Sequence, residues 1–197
     1  MIPANRHRYI PAFTIAEVML AGFVLTVGII SVMSLFIASQ QSARDTRSVI
    51  VATNLAQEGI EVARNIRDNN IAYRVLNSCG TNWTGSCDPF NGFPNAMRHL
   101  NYNSASFISG GNDWLSYNGS GFLAHGAGSG TFFVRYIKVS HTGASETARV
   151  QSFVSWQSST YDDYQNPVPQ LNGGNPTAWC IPSNRCVYTE ALLSAWK

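Results

Sequence analysis

Between Val18 and Ala38 the chain has no charge and no proline, and the longer run 13–38 holds a single acid, Glu17. A helix of about 20 apolar residues crosses a bilayer. The run therefore dictates a membrane-spanning helix near the start of the chain. A carboxylate in hydrocarbon costs on the order of 3 kcal/mol even on lenient insertion scales. Glu17 is accordingly expected to be functional and to have a partner.

The flanks say how the segment is used. Ahead of it lies a short basic stretch, MIPANRHRYIPA, with Arg6 and Arg8; behind it lies a long polar region. Positive charge before the span places the N-terminus in the cytoplasm and sends the rest across the membrane. Arg44 and Arg47 act against this, and Asp45 partly offsets them. A secretory signal has its small-residue cleavage site after the apolar stretch. Here the small residue, Ala12, comes before it, so cutting there removes the basic leader and keeps the apolar helix. The competing reading is a plain signal anchor with Glu17 in the headgroup layer.

Ala12-Phe13-Thr14-Ile15-Ala16-Glu17-Val18 resembles the processing and methylation site of type IV prepilins and type II secretion pseudopilins. Two positions depart from the common pattern: Gly is usual where Ala12 stands, and a large aliphatic residue where Ala16 stands. The resemblance implies cleavage between Ala12 and Phe13 by a membrane prepilin peptidase, N-methylation of Phe13, and a role in assembly for Glu17. It implies a pilin fold of the α+β class, in which one long N-terminal helix, membrane-spanning in its first half, packs on an antiparallel β-sheet head. The partners it implies are the peptidase, other pilin subunits, an inner-membrane assembly platform and membrane lipid. The precursor is then a single-pass inner-membrane protein with a cytoplasmic N-terminus, and the mature chain belongs to a surface filament. Leu55 to Asn70, LAQEGIEVARNIRDNN, is similar to a recurrent segment of minor, type IV modification pilins and points to a minor subunit. Two alternatives remain: a pseudopilin of a type II secretion or DNA-uptake system, and a signal-anchored adhesin or glycan-binding protein using Trp83, Trp114 and Trp179.

The expected organisation is a leader at 1–12, an assembly helix at 13–38, its amphipathic continuation at 39–70 and an extracytoplasmic head at 71–197. In the continuation Val49, Ala52, Leu55, Ala56, Gly59, Ile60, Ala63 and Ile66 recur at helical spacing. Arg44, Arg47, Glu58, Glu61, Arg64, Arg67 and Asp68 occupy the other side, with Glu61–Arg64 and Arg64–Asp68 spaced as surface pairs. Asn69-Asn70 is the expected stop. Gly22 and Gly28 are places where helices can approach closely, and Gly59 is the equivalent place against the sheet.

In the head, 77–130 is predicted to be a long connection pinned by rings (Trp83, Phe90, Phe93, Tyr102, Phe107, Trp114, Tyr117 and Phe122). Asn118-Gly119 suggests a hairpin between 113–117 and 121–125. Thr131–Ser140 and Thr147–Gln157 are predicted strands joined as a hairpin. In the second of these Ala148, Val150, Ser152, Val154 and Trp156 share one face. Residues 161–175 are predicted to be an exposed loop, Cys186–Tyr188 an edge strand and Glu190–Trp196 a short last helix.

Charged residues make up only 12% of the chain, well below the usual quarter, and uncharged polar residues replace them. The net charge of +2 does not argue for a nucleic-acid partner. Losing Arg6 and Arg8 with the leader brings the side-chain charge to zero, which lets identical subunits pack without repulsion. The cysteines form two close pairs, Cys79/Cys87 and Cys180/Cys186, both beyond the span on the expected oxidising side. Four cysteines allow three connectivities, and local disulfides are the expected one. A C-terminal disulfide loop is common among type IV pilins, and Cys180–Cys186 is a small version of it. Neither pair has zinc-finger spacing.

Enzyme chemistry is not expected. His7 lies in the leader, and His99, His125 and His141 fall in separate loops. The glycine-rich stretches 119–121 and 126–130 lack the Lys and following helix that phosphate binding needs. No cofactor is expected. The one weak metal candidate is a Ca²⁺ site at Asp162, Asp163 and Asn166. Asn82 and Asn118 stand in glycosylation sequons.

Overall fold

A computed structural model describes residues 14–79, 85–102, 105–108, 114–125, 129–141, 147–156 and 176–195. It forms two compact units divided between Asp45 and Thr46. Helix α1, Ile15–Leu76, contributes to both. In the first unit the described residues are helical from Ile15 on, and every one is exposed.

The second unit is α+β. The later part of α1 packs on a six-stranded antiparallel sheet, the fold class that the resemblance implied. The strands are β1 (Met97–Arg98), β2 (Trp114–Tyr117), β3 (Leu123–His125), β4 (Ser129–Ser140), β5 (Thr147–Trp156) and β6 (Cys186–Ser194). Their order is β3-β2-β4-β5-β6, and β1 pairs with β4 beside β2. Val150 faces Val139 on β4 and Ala191 on β6, so β4, β5 and β6 share one continuous register.

The helical period of the sequence is what seats α1. Ala52, Leu55, Ala56, Gly59, Ile60, Ala63 and Ile66 are all buried. They meet Leu115, Val154, Ile137, Val139, Ala148, Val150 and Leu193 of the sheet in two adjoining apolar clusters. Small residues bring the helix close. A Cβ on Gly59 would lie 2.5 Å from Ser152 Oγ and 2.7 Å from Ile137 Cδ1. Gly59→Ala should therefore destabilise the head by about 2 kcal/mol through overpacking. Thermal unfolding of the full chain in detergent micelles checks this, and Gly28→Ala, which meets nothing within 4 Å, is the control.

One buried cation sits between helix and sheet. Arg135 on β4 is fully buried. Its Nη1 donates to the Leu55 carbonyl at 3.2 Å, its Nη2 to the Leu100 carbonyl at 2.6 Å, and Nη1 lies 3.0 Å from Glu58 Oε1. Glu58, placed by its period on the polar side of α1, thus turns toward the sheet. Arg67, assigned to the same polar side, is also buried and donates to the Ser194 carbonyl. It takes Asp68 as its ion pair, in place of the expected Arg64–Asp68 pair, while Arg64 pairs with Glu61 as expected.

Helix α1 passes the expected stop at Asn69-Asn70 and ends at Leu76. The two asparagines spend their amides elsewhere: Asn69 donates to Asn65 within the helix, and Asn70 to the carbonyls of Pro89 and Asn91. The actual stop is a Schellman closure in which Cys79 N–H donates to the Arg74 carbonyl and Ser78 N–H to the Val75 carbonyl. Ser78 takes the left-handed φ of 51° usually left to glycine, so no glycine marks the boundary.

The long connection is held by rings, as expected. Phe90 and Phe93 are buried edge to face, Phe107 packs on Phe93, and Tyr102 stacks on Phe122. Trp83 lies outside the described residues. The hairpin at Asn118-Gly119 exists as β2–β3, but its loop spans 118–122 instead of the expected 118–120. Asn118 Oδ1 accepts from the N–H groups of Ser120 and Phe122, and Gly121 supplies the positive φ of 81°.

Where a C-terminal helix at Glu190–Trp196 is expected, Glu190–Ser194 is strand, and Trp196 lies outside the described residues. β6 runs on to Ser194 because each residue from Cys186 has a partner on β5. Long-range pairing overrides a short helical spacing. Leu192 and Leu193 consequently face opposite ways, the first exposed and the second buried.

Candidate assembly segment

Glu17 stands in the first turn of α1. Thr14 is the N-cap: its Oγ1 accepts from Glu17 N–H at 3.3 Å, and its carbonyl accepts from the N–H groups of Glu17 and Val18. Thr14-Ile15-Ala16-Glu17 is thus a threonine followed three residues later by a glutamate, the capping-box spacing. Sequence reasoning passed over Thr14, although a Thr-x-x-Glu ahead of an apolar run is a readable helix start. The Glu17 carboxylate is exposed and makes no hydrogen bond or ion pair among the described residues. Its negative charge also suits the positive end of the helix dipole.

The apolar stretch is long and apolar enough to cross a membrane. Its large side chains from Ile15 to Ile37 are all exposed, with Ile15 at 80% and Leu35 at 72%. Three hydroxyls interrupt it, and each is spent on the helix itself. Thr26 donates to the Phe23 carbonyl, Ser31 to Val27 and Ser34 to Ser31, at 2.8–2.9 Å. Back-bonded hydroxyls add no unsatisfied donor to a lipid-facing surface. Gly22 and Gly28 have open space around them, so a neighbouring helix can approach closely there. The segment is compatible with a single membrane-anchoring span.

Ala12 and Phe13, expected to flank the cleaved bond, lie outside the described residues, as do Asp162, Asp163 and Asn166. Among the described residues no group of three or more His, Cys, Asp or Glu side chains is placed to hold a metal.

The structure pairs Cys79 with Cys87 and Cys180 with Cys186. The first bridge follows directly on the Schellman closure of α1. The second pins the C-terminal segment onto the sheet face turned away from α1, where Cys180 and Cys186 are buried with Val134, Tyr136 and Phe153. Between them, residues 181–184 are exposed and Arg185 takes a left-handed φ of 52°. Replacing Cys180 and Cys186 together by Ser should cost about 2 kcal/mol, as short closed loops do. Hydrogen exchange should then rise at 180–188 and stay unchanged in α1.

Trp114 and Trp179 pack partly buried against that same cluster. Asn118, a sequon residue, already uses its amide nitrogen on the Tyr102 hydroxyl. Comparison with protein-family models, curated proteins and solved structures gave no match.

Proposed function

We propose that this chain is a structural subunit, of the minor kind, of a type IV pilus-like filament. It inserts as a prepilin, is cut between Ala12 and Phe13, is methylated on the new amine, and assembles by packing its apolar helix against those of other subunits. One observation carries this reading: an uncovered apolar helix bears, in its first turn, a carboxylate that no described residue of its own chain neutralises. A freed amine at Phe13 of an adjoining subunit supplies the missing positive charge. In low dielectric such a pair is strongly attractive, and the desolvation of each partner is offset only when the two are matched. The pair thus sets axial register, while contacts along Val18–Ala38 supply cohesion.

The test is to shear the surface of native cells and probe the released filaments. The chain should be found in the sheared fraction with other pilins, and should be absent from it in cells without prepilin peptidase. Recovery only as a membrane-bound monomer overturns the proposal.

A further inference from the structure

We infer that the sheet face turned away from α1 carries a binding groove for an acidic oligosaccharide, with a sugar carboxylate held between Lys138 and Arg149. This goes beyond the filament proposal and does not depend on it. Lys138 and Ser140 project from β4 next to Gln151 and Arg149 of β5, because Lys138 faces Gln151 and Ser140 faces Arg149 in the register. Lys138 and Arg149 are diagonal neighbours, within reach of one ligand for long side chains. Over them lies an open cavity of about 380 Å³ walled by Pro176 and Thr177. A second cavity, of about 310 Å³, continues from it past the shared Ser140 and Arg149. Both are shallow and open to solvent.

The charges select the ligand. Lys138 is half-buried and makes no hydrogen bond or ion pair among the described residues. Glu190, on β6, accepts from Gln151 Nε2 at 2.7 Å and lies 3.4 Å from Arg149 Nε, so it partly offsets Arg149 alone. Among the described residues, two cations and one carboxylate leave a single net positive charge, which suits one carboxylate better than a doubly charged phosphate. The Ser140 hydroxyl and the Gln151 amide oxygen offer hydrogen bonds for ring hydroxyls.

The test is calorimetry on the full chain in non-ionic micelles with trigalacturonate, maltotriose and inorganic phosphate. Trigalacturonate should bind saturably and the other two should not. Lys138→Gln should weaken binding by about tenfold, and Lys138→Arg should retain it. Glu190→Gln should tighten it by roughly threefold, a gain that a purely structural role for Glu190 does not give. Absence of saturable trigalacturonate binding, equal binding of maltotriose or phosphate, or weakening by Glu190→Gln overturns the inference. Should Lys138→Gln fail to fold, Arg149→Gln takes its place with the same expected loss.

Discussion

Arg135→Met is expected to destabilise the head by about 3 kcal/mol, the scale of breaking a buried ion pair by removing one partner. Arg135 is enclosed between α1 and β4, where it holds two backbone carbonyls and Glu58. Methionine keeps much of the volume and none of the donors. The Leu100 carbonyl then loses a 2.6 Å hydrogen bond, and Glu58 is left facing apolar surroundings without its cation. Glu58 is 37% exposed, so water relieves part of its penalty; Glu58→Gln keeps an acceptor but strips the counter-charge from the fully buried Arg135, and should cost about 2 kcal/mol. Adding Glu58→Gln to Arg135→Met should restore part of the loss, because the stranded charge disappears. Denaturant unfolding of the four proteins in micelles measures each step. A loss below about 0.5 kcal/mol for Arg135→Met, the level of an ordinary surface change, would show that Arg135 does not join helix to sheet.

Glu17→Ala is expected to abolish incorporation into filaments while leaving insertion and head stability unchanged. Glu17 has two separable roles in the account. As the third helical residue it stands at the capping-box spacing from Thr14, whose Oγ1 accepts from its N–H, and in the proposed filament its charge is matched by an amine from a neighbour. Gln serves a capping box as well as Glu does but carries no charge. Glu17→Gln should therefore fail to assemble as completely as Glu17→Ala. Thr14→Ala should cost only about 1 kcal/mol at the helix start and leave assembly largely intact. The readout is the amount of each variant in sheared filaments relative to the amount in the membrane. Normal assembly of Glu17→Gln would reduce Glu17 to a capping residue and remove the register mechanism.

The sequence made the helix–sheet arrangement legible because two strong periods lie side by side in it. One is the helical spacing from Ala52 to Ile66, and the other is the alternation from Ala148 to Val154. Gly59 was legible too, as a gap in a buried stripe that only a close approach explains. What stayed hidden depended on partners far along the chain. Nothing near Leu192 and Leu193 says that β5 will draw them into a strand, and no glycine marks the helix end because Ser78 accepts the left-handed turn. The Arg135–Glu58 pair joins residues of α1 and β4. Its one local trace is an arginine inside TFFVRYIKVS, where apolar residues flank a charge that needs a buried partner. In the assembly segment, Glu17 stood out by cost alone, whereas Thr14 required reading the helix start as a cap.

In the proposed filament, a newly exposed, cationic chain end neutralises an acid otherwise stranded in lipid. Intact-mass and N-terminal analysis of the protein from its native membrane and surface tests this most directly. The expected result is a chain beginning at Phe13 and carrying one added methyl group. A mature protein that still begins at Met1 would contradict it.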